Sequence, residues 1–295
     1  MKCLVTGGSG FLGSHVADEL LKAGHKVVIY DLKKSNWIKK KHKFIKGDIL
    51  DKKKLNNALK SIDVIYHLAA LADLDLSLKN PIKTVNYNIL GTVNILDLAK
   101  IKKIKRIIFA SSIYVNSEQG SFYRVSKKAA EEYVEEYSKK FGINYTILRF
   151  GSLYGARSDK SNGLRKIIES GIDKKYITYF GNPRSVRKYI NVIDAAKSCV
   201  KILSSNYKNK YLILNGKKSF PIKSVLKMVQ RMYLEKKEIR FNIKKAVGHY
   251  INNPFTYKFR KGKNFVMKNQ INFEKGVKGL FKELVGETRW LLQLW

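Results

Sequence analysis

Residues 2–16 read KCLVTGGSGFLGSHV, and this stretch decides the fold. Cys3-Leu4-Val5 is an apolar run long enough for a buried strand and too short for a helix. Gly7, Gly10 and Gly13 follow at a spacing of three, and Phe11, Leu12 and Val16 then open a helical apolar pattern. A strand that passes through a glycine turn into a helix makes an anion site. Free backbone N–H groups and the positive end of the helix dipole both face whatever rests on the turn. A Cβ on the turn would hold a pyrophosphate away or strain a left-handed backbone. The plain alternative is an ordinary glycine-rich turn. The strand before it, the helix after it and an acid at Asp31 favour a dinucleotide site.

Working outward, Lys26–Tyr30 (KVVIY) is the second strand pattern, closed by Asp31. A carboxylate there accepts hydrogen bonds from ribose hydroxyls and repels a 2′-phosphate, so NAD is expected rather than NADP, although Lys33 and Lys34 stand beside it. Further strand patterns lie at Phe44-Ile45, at Asp63–Leu68 running into Ala69-Ala70, at Arg106–Ala110 and at Tyr145–Leu148. Helical periodicity covers Thr84–Ala99, with Val85, Ile89, Val93 and Leu96 on one side, and a stretch from near Tyr123 to Phe141. Strands alternating with helices predict an α/β fold, a Rossmann-type doubly wound parallel sheet that binds ligands beyond its carboxyl ends. The expected division is an NAD-binding domain over 1–160, to which the chain returns around 188–216, and a smaller α/β substrate-binding subdomain mainly over 161–295. Within the latter, helices are expected at Tyr189–Leu203, Ile222–Tyr233 and Val277–Trp295, and a strand at Tyr211–Leu214. The basic, aromatic stretch Arg240–Asn269 has no assignment.

A chain of 295 residues can bury a large core. Lys+Arg 59 against Asp+Glu 23 gives a net charge of +36. The lysines run along the whole chain and no nucleic-acid-binding motif accompanies them. The excess therefore reads as compositional bias that steers anionic substrates in, and no specific nucleic-acid partner is expected. No apolar run is long enough to cross a bilayer, and strand begins at once, so a cytoplasmic protein is expected. The tail with Trp290 and Trp295, beside a basic surface, leaves peripheral membrane contact as an alternative to a packed helix. Cys3 and Cys199 read as buried thiols. No His/Cys/Asp cluster has metal spacing, so no metal is expected. His15 and His67 read as packed, His25 and His42 as surface residues, and His249 as a candidate pocket residue.

Tyr123 and Lys127 stand four apart on a helix and share a face, with Ser112 just past the preceding strand run. A tyrosine titrates near 10 and is a poor base. A neighbouring ammonium is expected to favour the phenolate, and a serine hydroxyl to hold the reacting oxygen. A surface Tyr/Lys pair is the plain alternative, but coincidence with the glycine loop and Ser112 argues for proton chemistry on a hydroxyl or carbonyl.

With these residues in view, the chain resembles the extended short-chain dehydrogenase/reductase family, in its nucleotide-sugar epimerase/dehydratase branch, over at least residues 1 to 216. The matching residues are Thr6–Gly13, Asp31, Gly47-Asp48-Ile49, His67–Ala70, Asn88–Thr92, Ser111-Ser112, Tyr123 with Lys127, and Leu148-Arg149 through Tyr154-Gly155. The resemblance implies cofactor contacts from Gly7, Gly10, Phe11, Leu12, Gly13, Asp31, Asp48, Ile49, Leu68, Ala69, Ala70 and Asn88, together with Tyr123 and Lys127. It implies catalysis by Ser112, Tyr123 and Lys127. It also implies substrate contacts from Ser152, which replaces an asparagine of the family, and from Arg187 to a nucleotide diphosphate. A homodimer through the helices near Thr84–Ala99 and Tyr123–Phe141 is implied as well.

The chain departs from the family at several points. Val115-Asn116-Ser117 replaces Val-Tyr-Gly, the segment from Ser112 to Tyr123 is short, and Lys188 and Asn191 replace an Asp and a His. Ile113-Tyr114 replaces the Asp-Glu pair of dehydratases, which disfavours 4,6-dehydration. The expected activity is NAD-dependent nucleotide-sugar epimerisation at C4 through a 4-keto sugar. A nucleotide-sugar 4-ketoreductase or dehydrogenase using NAD(P) is the alternative, and a non-catalytic dinucleotide- or nucleic-acid-binding protein is a third reading.

Overall fold

A computed structural model of the chain describes residues 1–172, 174–233, 235–242 and 261–286. The elements of the first half are β1 (Lys2–Thr6), α1 (Phe11–Lys22), β2 (Lys26–Asp31), β3 (Lys43–Lys46), α2 (Lys52–Ala58), β4 (Val64–His67), α3 (Leu74–Lys79), α4 (Pro81–Val85), α5 (Gly91–Ile101), β5 (Arg106–Ser112), α6 (Ser121–Phe141) and β6 (Tyr145–Phe150). There follow β7 (Ser152–Tyr154), α7 (Gly163–Ile172), β8 (Tyr176–Tyr179), β9 (Val186–Asn191), α8 (Val192–Lys201), β10 (Lys210–Leu214), β11 (Ser219–Pro221), α9 (Ile222–Gln230), β12 (Glu238–Phe241), β13 (Lys263–Phe265) and α10 (Phe273–Val285).

Eight strands form one sheet in the order β13-β10-β6-β5-β4-β1-β2-β3, and each neighbouring pair is parallel. Strand side chains alternate between its faces. Leu4, Val28, Ile65, Ile107 and Ile147 pack under α2, α5 and α6 with Leu55, Ile95, Leu96 and Val134. Cys3, Val5, Val27, Ile29, Ile108 and Leu148 face the other way, under Val16 and Leu20 of α1 and Ala195 and Cys199 of α8. Each such aliphatic side chain contributes about 1.5–3 kcal/mol on burial, so double coverage explains why the strands are nearly continuous apolar runs. The strand order reverses between β1 and β4, which opens a crevice at their carboxyl ends. A second cluster, built from α7, α9 and α10 with β8, closes over that edge through Leu164, Ile168, Ile177, Val225, Leu226, Leu280 and Phe281. Two small sheets, β11-β9-β7 and β12-β8, support it.

The structure corrects several expectations. Tyr189–Leu203 is not one helix. Tyr189 and Ile190 pair with Ser152 and Leu153 as strand, and Asn191 then caps α8 by accepting the Ile193 N–H at 3.0 Å. Thr84–Ala99 is interrupted by a π-helical turn over Asn86–Leu90. Its wider winding rotates the apolar stripe, so Ile95 and Leu96 reach the core while Val85 stays exposed. His42 is buried, with Nδ1 accepting the Lys39 N–H and Nε2 facing Asp18. The third helix of the second half ends at Gln230 rather than Tyr233. The last expected helix starts earlier and ends at Val285, and the Trp290–Trp295 tail and His249 lie outside the described residues. Among the described residues no helix is long and apolar enough to cross a membrane.

Helix α6 is anchored to the sheet by a buried ion pair. Arg149 Nε and Nη2 donate to Glu131 Oε1 and Oε2 at 2.9 and 2.7 Å. Removing one partner of such a pair strands a charge in the interior. Glu131→Ala is therefore expected to lower the unfolding free energy by about 3–5 kcal/mol in a denaturant titration. A loss below about 1 kcal/mol would contradict this account of the anchor.

Candidate active site

A cleft of about 1090 Å³ follows the carboxyl edge of the sheet from the end of β2 to β9. Its first half is lined by Gly7, Gly10, Phe11, Leu12, Gly13, Asp31, Asp48, Ile49 and Leu68–Ala70, all expected from sequence to contact cofactor. The glycines are required by close approach. Gly7 has φ +71, and a Cβ on it would lie 2.7 Å from Ala69 N; a Cβ on Gly13 would lie 2.1 Å from Gly7 O. A dinucleotide fits this cradle, where the helix α1 N-terminus opens onto the cleft. Ser9 Oγ and Ser111 Oγ line it and are buried with no protein partner among the described residues. Asp31 Oδ2 accepts the Ser9 N–H at 2.9 Å, which fixes the carboxylate against the loop where a ribose would rest. Asp48 is held at the far end by the Leu50 N–H on Oδ1 and the Tyr87 hydroxyl on Oδ2, at 2.9 and 3.1 Å.

Asn88 does not reach the cleft. Its Oδ1 accepts the Leu71 N–H at 2.7 Å, and its Nδ2 donates to Leu71 O and Ser126 Oγ at 3.0 and 2.9 Å. It pins the loop after β4 to α6, so its amide is spent on support rather than on a ligand.

Ser112, Tyr123 and Lys127 meet at the middle of the cleft. Ser112 is the last residue of β5, and Tyr123 and Lys127 lie in the first two turns of α6. The Tyr123 and Ser112 side chains share a hydrogen bond. Burial pushes the Tyr123 phenol up to about 12, and the Ser112 bond opposes it only in part. Burial also brings the Lys127 ammonium down to about 8, against the pull of the Glu131 carboxylate. Desolvation is thus the largest influence on both groups, and Lys127 Nζ donates to Ala110 O at 2.9 Å. His67, beside them, is no base. Its Nδ1 and Nε2 contact Thr6 Oγ1 and Thr92 Oγ1 at 2.8 and 3.0 Å, and burial holds it down at about 3.

Ser152 and Arg187 line the opposite half. Arg187 is buried in β9, and its Nη1 and Nη2 donate to Val186 O and to the Tyr179 hydroxyl at 3.0 and 3.3 Å. Sequence reasoning missed Asn162, Lys166, Tyr179 and Phe180, which line the same half. Asn162 carried a readable signal: just before a helical run, its Oδ1 accepts the Leu164 N–H and its Nδ2 donates to Leu153 O. The others lie on elements whose relation to the cleft is purely tertiary. Among the described residues no group of three or more His, Cys, Asp or Glu side chains is placed to hold a metal ion.

Comparison with known proteins follows the same lines. The chain is 32% identical over 251 residues to a protein of Methanocaldococcus jannaschii assigned as a UDP-glucose 4-epimerase, covering 77% of this chain and 81% of that one. It is 27% identical over 262 residues to a UDP-N-acetyl-alpha-D-glucosaminuronate decarboxylase of Bacillus cytotoxicus, covering 78% and 80%. The fold matches that of a UDP-glucuronic acid 4-epimerase from Bacillus cereus, solved with UDP-glucuronic acid and NAD, with a TM-score of 0.83 at 24% identity and full coverage of both chains. The model of the NAD dependent epimerase/dehydratase family matches residues 3–215, and this chain belongs to that family.

Proposed function

We propose that the protein is an NAD-dependent nucleotide-sugar epimerase that inverts C4 through a transient 4-keto sugar. The observation that carries this reading is one continuous cleft. It has a dinucleotide cradle at one end, the buried Arg187 at the other, and the Ser112/Tyr123/Lys127 trio between them. The assignment of the M. jannaschii relative as a 4-epimerase supports it.

Held along Gly7, Gly10, Gly13, Asp31 and Leu68–Ala70, NAD would supply a hydride acceptor and donor for C4 and a cationic nicotinamide that favours the Tyr123 phenolate. Tyr123 takes the proton of the C4 hydroxyl as the carbon is oxidised, and gives it back after the keto sugar has turned its other face. Ser112 Oγ accepts the Tyr114 N–H at 3.3 Å, which directs its own proton toward the reacting oxygen. Lys127 holds a positive charge beneath the site and has protons left for a ribose hydroxyl. Arg187 holds the diphosphate, whose anchoring leaves the sugar free to rotate. Ile113 and Tyr114, where a dehydratase needs two carboxyl groups, offer none.

The reading predicts that UDP-, GDP-, CDP- or dTDP-sugars, followed by NMR without added cofactor, give a C4 epimer for at least one donor. Tyr123→Phe is expected to lower kcat by about 10²–10⁴-fold while NAD still binds. Turnover that demands stoichiometric NADH or NADPH would instead favour the ketoreductase reading. With NAD bound and the Tyr123 phenol brought by its charge well below the value of about 12 that burial gives it, activity is expected to fall as pH rises through about 8, where Lys127 loses its proton; a pH profile of kcat/KM that stays flat to pH 9.5 would contradict the role given to this ammonium.

A homodimer is part of the same reading. Ile82 and Val85 of α4 and Phe122 and Val125 of α6 are exposed, Ile82 to 77%, and together line a small apolar hollow. This face is proposed to pack on its copy. Val125→Glu is expected to shift the protein to monomer by light scattering, and an unchanged mass would exclude this face.

A further inference from the structure

The segment between Ser112 and Tyr123 is short, and it sets one aromatic ring, that of Tyr114, beside the reaction centre. Ile113–Asn116 form one 3₁₀ turn, capped by Ser112 Oγ. Ile113 turns inward and packs on Ile213. Tyr114, half-buried, packs against the same pair and also lines the cleft next to Ser112 and Tyr123. Its ring meets the Tyr123 ring edge-on, with centroids 6.4 Å apart and planes at 79°. Behind it sits Gly120, the residue that opens α6, with φ +107. A Cβ on Gly120 would lie 2.7 Å from Tyr114 Cδ1 and 2.9 Å from Arg124 Cβ. Both its backbone conformation and this approach call for glycine. The Tyr114 ring is therefore wedged between the catalytic tyrosine and the start of the helix that carries it.

This wedge has two consequences. It keeps water from one side of the Tyr123 ring. It also blocks the swing of Tyr123 toward the helix start, so the phenol stays on Ser112. Both effects are assigned to the ring, which Tyr114→Phe retains.

We propose that Tyr114 is a positioning residue: its ring, seated on Gly120, holds Tyr123 in line with Ser112 and walls the sugar side of the cleft. Its kinetic test rests on the epimerase reading, and its spectroscopic test rests on the ring geometry alone.

The experiment compares the wild type with Tyr114→Ala and Tyr114→Phe, after NAD binding has shown each to be folded. Tyr114→Ala is expected to lower kcat roughly 10–100-fold, the scale on which small misplacements of a reacting group act, with a smaller change in KM. It should also move the acid limb of the kcat/KM profile to lower pH, because a hydrated Tyr123 gives up its proton more readily. Tyr114→Phe should recover most of the loss. Phenolate absorbance, taken as the difference between each protein and its Tyr123→Phe counterpart, should show a lower Tyr123 midpoint in Tyr114→Ala. Should that variant not bind NAD, Tyr114→Val, which leaves part of the ring's space open to water, is read in its place with the same expected direction. If the wild type turns over no nucleotide sugar, the epimerase reading fails, while the absorbance arm still decides for or against the ring. An unmoved Tyr123 midpoint with unchanged kcat would overturn the proposal. A loss in Tyr114→Phe equal to that in Tyr114→Ala would also overturn it, because the hydroxyl would then be the working group.

Discussion

The site depends on one costly arrangement, a lysine ammonium buried at the carboxyl edge of a parallel sheet. Lys127 is held there by the Ala110 carbonyl at the end of β5 and by its position one turn before Glu131. Glu131 is itself neutralised by Arg149 from β6. Cation, anion and cation thus run from the cleft into the sheet, and each offsets the burial of the next. Burying the ammonium costs so much that its proton affinity falls to about 8. The same burial lifts the Tyr123 phenol to about 12. The protein's own groups hold a proton on the tyrosine, so charge brought in by ligands is what would tip it toward a base.

The topology explains why these groups stand together. In an all-parallel sheet the carboxyl ends of the strands share one edge, and the reversal of strand order at β1/β4 parts the crossovers there. The glycine loop follows β1, the Leu68–Ala70 segment follows β4, and Ser112 ends β5. The approach of Gly7 to Ala69 shows how tightly these ends are drawn together. The second layer then sets Arg187 across the cleft, because β9 pairs with β7 directly after β6 has left the main sheet.

Much of this was legible in the sequence because it is local. The glycine spacing, Asp31 after KVVIY, and Tyr123 with Lys127 one helical turn apart are all short-range patterns. The exchange of strand for helix at Tyr189–Asn191 was not legible. Its apolar residues satisfy both periodicities, and only pairing with β7 and the Asn191 cap decide between them. The π turn at Asn86–Leu90 misled the reading of the helix face for a related reason, since one register step is invisible in a list of apolar positions. Asn88 stood in a recognisable motif, yet which partner takes its amide is a tertiary matter. His42 reads as a surface residue in the sequence, and packing against α1 reverses that.

The central claim is that the hydrogen removed from C4 returns to the same sugar carbon within one binding event. It is tested most directly with a nucleotide sugar carrying deuterium at C4, mixed with a ¹³C-marked, undeuterated copy and followed by NMR in ordinary water. The account predicts deuterium retained at C4 of the inverted product, with none crossing to the ¹³C-marked sugar. Loss of the label to solvent, to added dinucleotide or to the second sugar would contradict it.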